Sequence, residues 1–185
     1  MTVNQHRSTA GGDIVGRDKV ENHFHGPLHK LTKLDKLKIK LQQEMESEQK
    51  LNFLIEKLQS YKPIHPEDGV VGLEAKLEKS GRGASKLAAL QMKERFAKLL
   101  ERWSLYASAQ EIFVHVLAIA EVRFTQYISP QIGSLDSVAL DEIVDEKILT
   151  PIVEEIGIDV FSMDHMEAMG LIYWLAEQCR IRWHQ

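Results

Sequence analysis

The chain of 185 residues has one cysteine, Cys179, which excludes an internal disulfide and a Cys-based zinc cluster and suits a reducing compartment. It lacks a long hydrophobic run. The longest near-apolar stretch, Ile112 to Ala120, is interrupted by His115 and falls short of the roughly 20 residues of a membrane span. Met1 to Ala10 is polar and has no signal-peptide core. These absences predict a cytoplasmic protein without a membrane partner. Catalytic signatures are missing too. Gly11 and Gly16 have phosphate-loop spacing, but Arg17 and Asp18 follow, where such a loop needs lysine and then a hydroxyl to neutralise phosphate and ligate magnesium. No serine sits in a G-x-S-x-G elbow. His23 and His25 share one face of a strand pattern, yet no cysteine or H-E-x-x-H partner accompanies them. The expectation is a chain with no metal, no cofactor and no enzymatic activity.

What is present is helical periodicity. Residues 28–60 read as one long helix, with Leu34, Leu37 and Leu41 starting an apolar stripe that Leu51, Leu54, Ile55 and Leu58 resume. Pro63, Pro66, Gly69 and Gly72 mark residues 61–72 as a linker, and 73–185 as a helical C-terminal domain. Within it, helices are predicted over 73–79, 84–106 and 109–128, the last opened by a capping box of Ser108 with Glu111. An acidic amphipathic helix follows over 138–149. Thr150 and Pro151 start a short helix that Gly157 ends, and Ser162 caps a final helix over 163–178. Arg180 to Trp183 alternates and predicts a short closing strand. Trp103 and Trp174 are expected in the core with Phe96, Ile112, Leu117 and Leu171. His115 is expected as a hydrogen-bonded core residue, and Cys179 as a buried, inert thiol.

The first 27 residues read as a flexible N-terminus carrying a glycine-aspartate β-motif. From Gly12 to Phe24 the side chains follow a period of two, predicting a half-buried strand or a hairpin bent at Gly16. A lone strand leaves its edges unpaired, so Gly12, Asp13, Ile14, Gly16, Arg17, Asp18, Lys19 and Phe24 are expected to form an assembly strand in a homo-oligomer. Charge is divided unevenly: residues 28–105 carry +5 and residues 106–185 carry −9. Two solvated faces explain this, as does docking through opposite patches. The carboxylates of Asp136, Asp141, Glu142, Asp145 and Glu146 fit a solvated helix face. Lys33, Lys36 and Lys40 share a helix face and are the candidate contacts to nucleic acid or an acidic partner, although no aromatics interleave with them.

The stretch from Phe161 to Trp183, with its Tyr173-Trp174-Leu175 run and its Cys179-x-Ile181-x-Trp183 close, resembles the C-terminal domain of proteins from bacterial ABC-three-component conflict systems, including the Lamassu type. The span of the resemblance begins near Gly72. Gly12 to Lys19 resembles a glycine-aspartate motif of bacterial conflict and signalling proteins. The resemblance implies a system of an SMC-like ABC ATPase that senses foreign DNA, a middle component and an effector, whose C-terminal domain couples it to the complex. No nuclease, peptidase or other effector domain precedes the helical part, so the expected role is a non-enzymatic adaptor or interaction subunit working with an ABC ATPase, a middle component or an effector. A nucleic-acid-binding module using the lysine-rich helix is the alternative.

Overall fold

A computed structural model describes residues 31–66, 68–156 and 161–184. The expected assembly strand, His23, His25 and Gly157 lie outside the described residues. Residues 31–185 form one compact unit, mainly helical as the periodicity predicts.

Helix α1 (Lys33–Glu46) starts where Thr32 and Asp35 cap one another reciprocally: the Thr32 hydroxyl accepts from the Asp35 amide, and the Asp35 carboxylate accepts from the Thr32 amide. Its Leu34, Leu37, Leu41 and Glu44 share the buried face. The long helix expected to reach residue 60 is not formed. Polar residues dominate 42–50, so little burial offsets the entropy of continuing the helix. Glu48 turns the chain with φ +52°, and an irregular segment leads to the single turn α2 (Glu56–Gln59). The proline-bearing stretch does not separate two bodies. Tyr61 is buried, and the Ile64 amide donates to the Gln178 carbonyl.

Helices α3 (Gly72–Lys79), α4 (Lys86–Trp103) and α5 (Ala107–Arg123) fall near their predicted places. Helix α5 runs on through a π-turn at Phe124–Ile128 and a tight turn at Ser129–Gln131. Ala107–Gln131 is thus long and apolar enough by composition alone to cross a membrane, with a mean hydropathy of 1.2. Its apolar face fills the core instead: Ile112, Phe113, Val116, Leu117, Ala120 and Phe124 are fully buried. Helix α6 (Ser137–Val144) passes through a second π-turn, Asp145–Leu149, into α7 (Thr150–Ile156). The predicted break at Thr150 is absent; Thr150 is helical. Pro151 cannot donate to the Lys147 carbonyl one turn back, and Arg123 from α5 donates to that carbonyl at 3.0 Å. Helix α8 (His165–Glu177) is capped by Asp164 and Glu167, not by Ser162, which has φ +52°. The predicted closing strand is also absent. Ile181 and Trp183 are buried without any strand; the only bridge among the described residues joins Ile132 and Leu135.

The Ser108–Glu111 capping box is replaced by a tertiary one. The buried Glu44 carboxylate of α1 accepts from the Ser108 amide at 3.0 Å and its hydroxyl at 2.9 Å, placing negative charge at the α5 N-terminus. Glu44→Ala would strand both donors, so a loss of about 2 kcal/mol or more is expected, read as a lower urea midpoint. An unchanged midpoint would mean that water caps α5 equally well.

Candidate docking surface

Helix α4 lies across α8, and residues 54–63 run beside both. Between them is an apolar groove of about 360 Å³, with Ala97, Leu100 and Trp174 on one side and Leu54, Leu58 and Tyr61 on the other. Lys62 and Glu101 supply charge at its edges. A smaller cleft of about 240 Å³ continues past Leu54 to Phe53 and Leu105. Phe53 is 60% exposed and Leu54 and Leu105 are each 42% exposed, so the apolar surface extends beyond the groove.

An irregular wall needs its backbone polar groups satisfied, and Gln110 of α5 does this. Fully buried, it donates to the carbonyls of Phe53 (3.0 Å) and Ser104 (2.7 Å) and accepts from the Ile55 amide at 2.6 Å. The Leu51 amide donates a hydrogen bond to the Leu105 carbonyl at 2.7 Å. Arg180 stacks on the Tyr61 ring at 4.7 Å and donates to the Ser60 carbonyl. Burial raises the Tyr61 phenol pKa; Glu121 raises it further and Arg180 opposes.

Further along, Asp68 accepts from Arg182 at 3.3 Å and hydrogen-bonds His184 Nε2 at 2.7 Å. His184, the Val70 amide and Arg182 hold the Asp68 carboxyl well below the usual range. Lys76 is buried and donates to the Ala176 carbonyl; burial lowers its pKa, while Cys179, Asp68 and Glu177 work against that shift. Glu177 accepts from the Leu73 amide at 2.8 Å, capping α3 from α8.

The profile of C-terminal domain 9 of the ABC-three component (ABC-3C) systems matches residues 72–183. The chain belongs to this family. No curated protein and no solved structure matches it. The ABC-3C domain supplies Ala97, Leu100 and Trp174 of the groove, whereas Leu54, Leu58 and Tyr61 precede the matched span.

The other predicted residues are dispersed. Lys33, Lys36 and Lys40 are exposed on α1, with Lys40 3.7 Å from Glu44, and they line neither cavity of the docking surface. His115 is hydrogen-bonded as expected, to Glu155 at 2.9 Å, but at 40% exposure it is not a core residue, because it lies at the α5–α7 rim. Asp141 accepts two bonds from Arg82, at 2.7 and 3.0 Å. Cys179 is partly buried at a left-handed turn, φ +61°. Among the described residues no three His, Cys, Asp or Glu side chains cluster as metal ligands. Gln110 and Glu44 escaped the sequence reading because a polar residue in a helical pattern carries no mark of a partner more than 50 residues away.

Proposed function

We propose that this ABC-3C protein is a non-enzymatic interaction and oligomerisation subunit, or adaptor, of a cytoplasmic bacterial antiphage complex, coupling to an SMC-like ABC ATPase or an effector. The observation that carries the reading is the apolar groove built jointly by the ABC-3C domain and the segment before it. Its occupant is an amphipathic helix of the ABC ATPase or effector, apolar on one face and flanked by acidic residues. The apolar floor fits helix-in-groove recognition. Most of the walls belong to the stretch that carries +5, with Lys62 lining the groove beside Glu101, so acidic flanks complement the net basic stretch.

Co-expression with the ABC ATPase and the effector of its own system, followed by co-purification, tests this. Phe53→Asp should fold normally, because the side chain is mostly exposed, yet weaken association by about 30-fold, the loss of an apolar anchor in the cleft that continues the groove. Association should also weaken as salt is raised, through screening of the rim charges. Equal recovery of wild type and Phe53→Asp, or no recovery of either, overturns the reading. Association only through nucleic acid, abolished by nuclease, would transfer the role to the lysines of α1.

A further inference from the structure

Three buried side-chain polar atoms lack a hydrogen-bond partner among the described residues: Arg180 Nε, Trp183 Nε1 and His184 Nδ1. All three lie in the closing segment after α8. Buried polar groups are nearly always paired, and leaving one unpaired costs free energy, so three within five residues call for a cause. Beside this segment is a cavity of about 500 Å³, lined by Arg180, Arg182 and His184 with Thr125 and Ser129 of the α5 extension. Its volume lies within the usual range of small-molecule sites, roughly 300–1,000 Å³.

The charged side chains that line it are basic: Arg180 and Arg182, with His184 beside them. Arg180 and Arg182 are permanently protonated. Lys76 lies across the closing segment, where it lines a neighbouring cavity with both arginines. Among the described residues three carboxylates stand nearby, Glu177 facing Lys76. Asp68 is engaged by Arg182, His184 and the Val70 amide, and Glu121 lies 3.6 Å from Arg180 Nη1. None of the three lines the cavity.

The Asp68–His184 contact also fixes the ring. An ionised carboxylate only accepts, so His184 Nε2 carries a hydrogen, and Nδ1 becomes a donor whenever the ring is charged. His184 is 3% exposed, so water gives it little competition. The Thr125 and Ser129 hydroxyls, which also line the cavity, donate to the Glu121 and Phe124 carbonyls. Of the lining groups, Arg180 Nε and, when the ring is charged, His184 Nδ1 are donors without a partner, and no carboxylate among the described residues lines the cavity. Such a lining complements an oxyanion, and arginine forks match phosphate geometry. We propose that this cavity binds a phosphate group, free or carried by a small molecule, through Arg180, Arg182 and His184. The site is separate from the docking groove and does not depend on the function proposed above.

The test uses the full chain and three additions at matched ionic strength: inorganic phosphate, adenosine monophosphate and sodium chloride. Phosphate or the monophosphate should raise the melting temperature and move the His184 ring nitrogen resonances, and chloride should do neither. Tighter binding of the monophosphate would identify a phosphorylated small molecule as the ligand, and tighter binding of inorganic phosphate would identify the free ion. Arg182→Gln, at a half-exposed position, should weaken binding by about tenfold or more, the loss of a charge-assisted bond. Thr125→Ala, which leaves the Asp68 contacts untouched, should weaken it less. Equal effects of chloride and phosphate, or wild-type binding by a folded Arg182→Gln, would overturn the proposal.

Discussion

Gly170→Ala is expected to be among the most damaging single substitutions in this protein. Adding a methyl group to a mid-helix glycine normally helps, by roughly 0.5–1 kcal/mol, because alanine is the better helix former. Here the added carbon would overlap the Met92 carbonyl oxygen of α4 and stand 2.9 Å from the carbonyl carbon and 3.0 Å from Phe96 Cβ. The first two obstacles are backbone, which cannot swing aside as a side chain can. Helices α4 and α8 must separate, and the contacts beneath them loosen together, including the edge-on Phe96–Trp174 pair at 6.0 Å. Overpacking typically costs 1–3 kcal/mol, and an obstacle made of backbone places this case at about 3 kcal/mol or above. A domain of ordinary stability has 5–15 kcal/mol in total, so poor solubility or a much lower urea midpoint is the expected result. A midpoint at or above wild type would refute the close α4–α8 crossing.

Trp183→Ala should come next. Trp183 is 2% exposed, meets Phe124 edge-on at 4.8 Å, and has the Arg82 guanidinium 4.5 Å above its ring. That guanidinium also holds Asp141 and the Ser137 carbonyl, tying the α3–α4 turn to α6. Truncation of a buried tryptophan costs about 3–5 kcal/mol, and here it also frees Arg82 from the surface that orients it. Trp174→Ala should cost less, because Trp174 is only partly buried and one side of it lines the groove. Urea unfolding of the two variants in parallel would decide the order; a larger loss at Trp174 would mean that the closing segment contributes little to the core. The sequence reading placed Trp103 and Trp174 in the core. The structure leaves both partly buried and buries Trp183 instead. Trp183 follows the last helix, where no helical period marks it as a core residue.

The failures of local reading share one cause. Ser108 and Glu111 have the spacing of a capping box, but Glu44 takes the Ser108 amide. Thr150 and Pro151 look like a helix start, but Arg123 serves the Lys147 carbonyl that the proline cannot bond, and the helical course continues. Arg180 to Trp183 alternates like a strand, but alternate burial in an extended segment needs only one apolar surface, which helices provide.

The sequence by itself determined the helical class, the places of α3, α4, α5 and α8, the burial of Phe96, Ile112, Leu117 and Leu171, and the ABC-3C resemblance that the family match bears out. These are legible because helix periodicity is written within a few turns of chain. Only the tertiary structure decided that Glu44, Gln110 and Lys76 are buried polar residues with backbone partners, that Gly170 lets two helices touch, and that residues 54–63 complete a groove begun by α4 and α8. Each of those features depends on atoms brought together from distant parts of the chain, and a local pattern carries no record of which surface will face it.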